Sequence, residues 1–407
     1  MGGSLEDLSG PGACYLRRVT ARLDPTALRS HYAAFLTRPA GARPRLLLTG
    51  HSHQAWPDVA REGLLEAFTL AAEHVDDKWG AVFAAQDELR SHIARRIGGQ
   101  PGELAFAPNT HELVVRFLSA LPLAKRQHIV TTTGEFHSAF RQLRRLAEEG
   151  VDVTFVPAEP APTLAERLAD AVTERTSAVV VSTVLFGTGT VVPGLAELVE
   201  RAGRAGAHVL LDAYHAFDIV PFTVPERAFL VSGGYKYAQW GEGMCFLRVP
   251  AGCELRPVYT GWFAGYADLA DRRTDGAVSY ASDGATRFAG STFDPASTFR
   301  ARAVARFFEA HAMTVDALRA TSIMQTARIL AQVHDLPGIA IATPLADADR
   351  GGFVALRTPR ARELSAQLRE DGVFTDARGD ILRLGPAPYL TDDEIDEAVR
   401  LLRARVV

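Results

Sequence analysis

Residues Ala228–Pro250 read AFLVSGGYKYAQWGEGMCFLRVP. A short apolar run ends in Gly233–Gly234, and Tyr235–Lys236–Tyr237 follow. A Gly-rich turn at Gly241–Gly243 then leads into a second apolar run, Met244–Val249. The pattern predicts two buried strands joined by a tight, aromatic-walled turn. Lys236 is out of place there, because burying an ammonium is costly unless something neutralises or uses the charge. One use is a Schiff base, for which a desolvated lysine amine is well suited. The plain alternative is a lysine that points to water from a strand end. The stretch by itself leaves both open.

The 407 residues around it suffice for two or three domains and a substantial core. A hydrophobic content of 47% and a charged content of 23% fit an ordinary globular chain rather than a disordered one. The net charge of −4 argues against a nucleic-acid-binding surface. Cys14, Cys245 and Cys253 make neither a disulfide framework nor a metal-ligand spacing. The start MGGSLEDLSG lacks a basic stretch followed by an apolar one, so no secretory signal is expected. MGGSLE meets the myristoylation pattern only superficially, and the acidic residues after it add no attraction to a membrane. No run of 18 apolar residues occurs. The expectation is a cytoplasmic enzyme with no nucleic-acid or membrane partner.

Outward from the lysine stretch, the chain alternates short apolar runs with helical patterns. Leu104–Ala107, His128–Thr132, Val151–Val156, Ser177–Phe186 and His208–Ala213 read as strands, separated by helices near 110–121, 136–149, 163–173 and 195–205. Strands this apolar need both faces covered, which favours a largely parallel sheet. The two runs flanking Lys236 suggest an edge or antiparallel member. Upstream, a helix is predicted over Asp24–Leu36, a short strand at the start of Leu46–Pro57, and two helices over Asp58–Ile97 broken around Asp76–Gly80. Downstream, residues 251–295 form a long, irregular connection of the kind that covers active sites. A long helix, Ser297–Gln332, is expected to break near Leu318–Ser322. The tail reads strand, strand, helix, strand, strand, helix, a compact α+β unit whose boundary falls near residue 300.

Ligands in a parallel α/β sheet gather at the carboxyl ends of the strands. After Leu104–Ala107, Asn109 and Thr110 open a helix; the pair is an N-cap, and the same geometry offers a hydroxyl and N–H groups to a phosphate. After His128–Thr132, Phe136 is either core or a flat face for a planar ring. Ser182 and Thr183 lie near the end of the next strand, ahead of Gly187–Thr190. Asp212 ends an apolar run, with His215 three residues on. An aspartate there stays ionised only beside a strong partner, such as a protonated ring nitrogen; otherwise it is a solvated strand-end residue. In the loop after Leu46, His51 and His53 find no HExxH or carboxylate set, so a metal is not expected, and the loop reads as substrate-side or cofactor-side. Taken together, these residues describe a site for pyridoxal 5'-phosphate. Its aldehyde needs an amine, its pyridine nitrogen a carboxylate, its ring a stacking face, and its phosphate hydroxyls and helix-end N–H groups.

The same residues resemble the aminotransferase class V superfamily of fold-type I pyridoxal phosphate enzymes, and within it kynureninase and kynureninase-like proteins. The resemblance runs from Leu46 to the last helix. It is carried by LLDAYHAFDIVPF, where Asp212 matches the pyridine-nitrogen aspartate and His215 the neighbouring histidine. It is carried equally by GGYKYAQWGEGMCFL, where Lys236 matches the cofactor lysine and Tyr235 a tyrosine that meets the phosphate. STVLFGTGTVVPGL, holding Ser182, resembles the family's strand and Thr-Gly turn. PNTHELV assigns Asn109 and Thr110 to the phosphate loop, and GEFHSAF makes Phe136 the stacking ring. ILRLGPAPYL gives Arg383 the substrate α-carboxylate, an apt task for a guanidinium. Trp262 in TGWFAGY and Thr292 in RFAGSTFDP resemble loops that complete the neighbouring subunit's site, which implies a homodimer with shared active sites. The implied architecture is the PLP-dependent transferase fold type I: a mainly parallel seven-stranded sheet and a smaller α+β domain. Residues 45–299 would form the cofactor domain and 300–407 the small domain, with 1–44 packed against the latter.

Three departures stand out. Ala139 and His137 replace the family's aspartate and proline beside Phe136. Gly50–Gln54 reads GHSHQ in place of Gly-Asn-Ser-Leu-Gly. No asparagine in GSTFDP matches the one that recognises the kynurenine ring region. The expected substrate wall is His51, His53, Trp79 and Trp262 with Gly290–Phe293. The leading expectation is kynureninase-like cleavage, by C–C hydrolysis or β-elimination, of a substituted L-α-amino acid. Alternatives are a class V aminotransferase, a racemase, or a non-catalytic family member. A cysteine desulfurase needs a mobile late-loop thiol, and no cysteine follows Cys253.

Overall fold

The computed structural model describes residues 22–39, 41–42, 45–270 and 276–406; the MGGSLE start, Cys14 and much of the 1–44 segment lie outside them. Seven strands form the main sheet: β1 (Leu104–Ala107), β2 (His128–Thr132), β3 (Asp152–Val156), β4 (Thr176–Ser182), β5 (His208–Asp212), β6 (Phe229–Gly233) and β7 (Cys245–Arg248). Their order is β1-β7-β6-β5-β4-β2-β3. Neighbours from β6 to β3 run parallel, while β7 is antiparallel to both β6 and β1.

Alternate residues of the central strands feed two different cores. Val179, Val181, Val209, Leu211 and Leu230 point to one face, and Ala178, Val180, Leu210, Phe229 and Val231 to the other. Period-two alternation of wholly apolar strands is what a sheet covered on both sides demands. The helix α3 (Thr110–Ala120) covers one face with Leu113, Val114, Phe117 and Leu118. The helices α5 (Leu164–Asp170) and α6 (Leu195–Arg204) cover the other with Leu164, Leu168, Leu198 and Val199. Between α3 and α5 the chain forms α4 (His137–Glu148), and upstream the helices α1 (Val59–His74) and α2 (Trp79–Ile97) flank a single 3-10 turn, Val75–Lys78.

The smaller α+β region holds a four-stranded sheet of β8 (Ala340–Ile341), β9 (Val354–Arg357), β10 (Asp376–Arg378) and β11 (Ile381–Leu384), ordered β10-β11-β9-β8 and antiparallel throughout. Helices α8 (Val315–Val333), α9 (Ala361–Glu370) and α10 (Asp392–Val406) pack on it. Its core is continuous with one face of the large sheet. Leu46–Leu47 joins this region through a parallel pairing with Val373–Phe374. The short helical segment Pro25–Leu36 is tied to it by Arg22–Asp392 and Arg29–Glu394 ion pairs.

The strand after the lysine is antiparallel, one of the two placements the sequence allowed, with β7 interior and β1 at the edge. One expectation needs correction. The long helix breaks at His311–Thr314, not at Leu318–Ser322. Ala312 adopts φ 51°, and the Thr314 side chain accepts from the Ala317 N–H, so a new helix is capped there after α7 (Ala296–Ala310). Among the described residues no helix is long and apolar enough to cross a membrane.

The helices α1 and α7 approach so closely that a Cβ on Gly63 would lie 2.5 Å from the Phe299 carbonyl oxygen. Backbone cannot give way as a side-chain tip can. Gly63→Ala is therefore expected to destabilise by about 1–3 kcal/mol, read as a lowered urea midpoint; an unchanged midpoint would show that the helices separate freely.

Candidate active site

The carboxyl ends of β4, β5 and β6 meet along one edge, with Ser182 in register with Asp212 and Asp212 with Val231. The chain leaves β6 through two glycines that nothing larger could replace. A Cβ on Gly233 would sit 2.3 Å from the Cys245 sulfur, and one on Gly234 would sit 2.6 Å from Trp240. This tight exit turns Lys236 back over the strand ends instead of out to water.

Lys236 is buried, and its Nζ lies 2.8 Å from His215 Nε2. Burial is the main cause that lowers its pKa to about 7, and Asp212 only partly offsets it. Burial and the charges of Lys236 and Arg383 push His215 well below its ordinary value, so its ring is neutral and shares a hydrogen bond between Nε2 and the Lys236 amine. The other ring nitrogen, Nδ1, is buried without a partner. Asp212 is raised by burial, against the Tyr214 N–H that donates to its Oδ1 at 2.9 Å and the charge of Lys236.

One pocket at the strand ends is lined by Thr110, Phe136, Ser182, Asp212, His215, Tyr235 and Lys236 together. It also draws in Val184, Phe186 and Tyr214, which the sequence reading did not select. Lys236 Nζ lies 4.6 Å from the Tyr214 ring centre and 5.4 Å from that of Phe136. Burial raises Tyr235 to about 12, so its phenol stays protonated, and its ring stacks on exposed His53 at 5.4 Å.

Other residues are placed differently. The Asn109 side-chain oxygen accepts from the Glu112 N–H at 2.9 Å, so it caps α3 and leaves Thr110 as the residue at the cavity. The Ser182 hydroxyl donates to buried Glu135 at 2.6 Å, and Glu135 also accepts from Thr132 and the Ser182 N–H. Glu135 is a site residue the sequence reading passed over. His51 is fully buried beside Arg383 and Asp376, with neither ring nitrogen hydrogen-bonded. Arg383 is buried too, its Nη1 donating to the Phe186 carbonyl at 2.6 Å and its Nη2 to Asp376. Trp79 does not reach the cavity; it belongs to an aromatic cluster with Phe83, Phe263 and Phe293. Trp262 stacks on that cluster's Phe263 at 4.2 Å, and Thr292 lines a separate, larger pocket.

The family model described as the kynureninase C-terminal domain matches residues 318–402, the region that carries Arg383. Kynureninase of Xanthomonas oryzae pv. oryzae is 29% identical over 89% of this chain and 91% of its own length. Isopenicillin N epimerase of Streptomyces clavuligerus is 29% identical over 82% and 88%. By these matches the chain is similar to the kynureninase-like, aminotransferase class V superfamily of fold-type I pyridoxal phosphate enzymes. Its fold superimposes on a mutant of the cystine C–S lyase C-DES with glycine linked to the cofactor, at a TM-score of 0.79 and 18% identity, covering 92% of this chain and 98% of that one.

The residues at these strand ends fit pyridoxal phosphate. A buried amine near its neutral point, a buried carboxylate across the cavity and an unpartnered histidine nitrogen are all polar groups that the protein alone leaves underused. Among the described residues no three His, Cys, Asp or Glu side chains group to hold a metal ion.

Glu135 gives this site a pH signature. Burial drives its pKa up to about 7, with Asp212 adding to the rise and the bonds from Ser182 and Thr132 opposing it. Its folded pKa exceeds the ordinary 4.5, so the stability it contributes is complete below about pH 4.5 and is lost as pH rises through about 7. In cofactor-free protein Glu135→Gln is expected to remove roughly 3 kcal/mol of that pH-dependent loss. Urea midpoints of both proteins at pH 5 and pH 7.5 read it; a wild-type-minus-variant difference that does not move with pH contradicts the assignment.

Proposed function

We propose that this chain is a pyridoxal-phosphate-dependent enzyme that acts on an L-α-amino acid and cleaves within its side chain, as in kynureninase-type C–C hydrolysis or β-elimination. The observation that carries this reading is the buried amine of Lys236 held 2.8 Å from His215, in the same pocket as Asp212. The kynureninase C-terminal match over the Arg383 region and the kynureninase relatives support the cleavage class.

Bound in this cavity, pyridoxal phosphate supplies an aldehyde for amine condensation and an electron sink for charge developing at the substrate Cα. The chain's own groups then divide the work. Lys236, with a pKa near 7, is unprotonated often enough to act as a nucleophile and as a base for the substrate's Cα proton. The hydrogen bond between His215 Nε2 and the Lys236 amine orients that amine. Asp212 would hold the pyridine nitrogen in its protonated form, Phe136 would offer a ring face, and Thr110 and Tyr235 would hold the phosphate. Arg383 seats the α-carboxylate, with His51 and His53 on the substrate side. The carboxyl-rich edge is walled by Val184, Phe186 and Tyr214, which exclude water.

The reading takes residues 45–299 as the cofactor domain and 300–407 as the small one, with 1–44 packed on it. It also takes the protein as a homodimer. Val258, Tyr259, Trp262 and Tyr266 form an exposed apolar patch beside the void that Thr292 lines. Such a patch calls for cover, and a second copy whose cavity receives Trp262 and Thr292 supplies it. Light scattering is expected to give twice the 44.0 kDa chain mass; a single-chain mass contradicts the shared site.

Borohydride reduction of the cofactor-loaded protein is expected to fix one pyridoxyl phosphate on Lys236, and Lys236→Ala to lower turnover by at least about 10³-fold. Release of alanine from kynurenine or a β-substituted amino acid supports cleavage. Conversion of the cofactor to its amine form by amino donors, or racemisation without bond cleavage, overturns it.

A further inference from the structure

Arg383 enters its proposed task already neutralised. Its Nη2 bonds Asp376, the residue directly opposite it across the β10–β11 pairing, and its Nη1 bonds the Phe186 carbonyl. Its Nε is buried without a partner. On the far side of Asp376 sits His51, fully buried, with Nε2 3.7 Å from Asp376 Oδ2 and with neither ring nitrogen hydrogen-bonded. A buried imidazole with both nitrogens idle is costly unless another state of the site uses it.

A substrate α-carboxylate that reaches Arg383 brings a second negative charge to a guanidinium whose charge Asp376 already balances. Two carboxylates on one buried cation leave an uncompensated charge, which burial disfavours. Arg378 touches Asp376 only from the half-exposed side, 3.7 Å away, where solvent screens it. His51 is the buried group beside Asp376 that can become cationic. The charged and titratable groups facing it are Asp376, Arg383, Lys236 and His215. In the free site, burial and the charges of Arg383 and Lys236 hold His51 down to about 3, against Asp376. Once a second carboxylate consumes the Arg383 charge, the balance around His51 shifts toward its protonated form.

We infer that Asp376 and His51 complete the carboxylate seat at Arg383, and that occupation of the seat is coupled to uptake of one proton by His51. The proton comes from solvent to a ring nitrogen, and the imidazolium formed donates to Asp376. This deepens the proposed role of Arg383 and rests on it. Asp376 is a positioning residue: it holds the guanidinium in the empty site and becomes the partner of His51 in the filled one.

The test uses the cofactor-loaded enzyme and 3-phenylpropionate, a carboxylate without an amine, so that Lys236 chemistry does not enter. Calorimetric titration in buffers of different ionisation enthalpy counts the protons taken up. At pH 6 close to one proton per probe is expected, with affinity falling about tenfold per pH unit as pH rises over the linked range. His51→Asn and His51→Gln, each checked for an intact cofactor spectrum, are expected to bind with no uptake and little pH dependence. Zero uptake by the wild-type enzyme, or uptake that persists in a folded His51 variant, overturns the coupling. Arg383→Gln separates the two layers. If it binds the probe as tightly as wild type, the seat itself is wrongly assigned; if it loses binding while wild type takes up no proton, only the coupling fails.

Discussion

The site depends on the burial of one amine. Lys236 has a pKa near 7 against 10.5 in water, which corresponds to about 5 kcal/mol against its charged form. Nothing nearby repays that in full. Asp212 acts through the pocket, the faces of Tyr214 and Phe136 offer modest cation–π attraction, and His215 supplies a hydrogen bond but no charge. A salt bridge in this place would have made a stable, inert lysine. What the fold builds instead is an amine kept close to neutrality, with its lone pair free to be used.

That placement follows from sheet topology. Parallel neighbours bring Ser182, Asp212 and the end of β6 to one edge, one strand spacing apart. The antiparallel β7 returns the chain alongside β6, so the lysine lies at the turn of a hairpin whose far limb pins it. Gly233 and Gly234 permit the return only because Cys245, Tyr214 and Trp240 fill the space a side chain would need. The same three contacts that close the core set the direction of Lys236.

Much of this was legible in the sequence because strand ends announce themselves. An apolar run that stops at a polar residue marks both an element boundary and the edge where ligands gather, and Thr110, Phe136, Ser182, Asp212, His215, Tyr235 and Lys236 all share the cavity. What stayed hidden depends on tertiary register. Tyr214 lies between two selected residues and reads as loop, yet its ring forms a wall. Glu135 looks like a solvated turn residue, but Thr132 and Ser182 enclose it. The Asp376–Arg383 pair exists only through the antiparallel pairing of two three- and four-residue strands, which no pattern in the sequence specifies. The helix break at His311–Thr314 was missed because apolar spacing continues through it, while the left-handed Ala312 gives no compositional signal.

The two halves of the site answer different questions. The large sheet provides the amine, the carboxylate and the ring face proposed to meet the cofactor. The small sheet provides Arg383 and its Asp376, proposed to meet the substrate carboxylate. The halves are joined at a few points: Arg383 donates to the Phe186 carbonyl just beyond β4, the Gly351 N–H to the Gly189 carbonyl, and Thr190 bridges to Arg350. Phe186, whose carbonyl holds Arg383, also lines the pocket around Lys236. On the reading proposed above, in which Arg383 takes the substrate carboxylate, the spacing of that guanidinium from the Lys236 amine is set by these contacts between the sheets rather than by either sheet alone, and orientation of a substrate between the two groups depends on them.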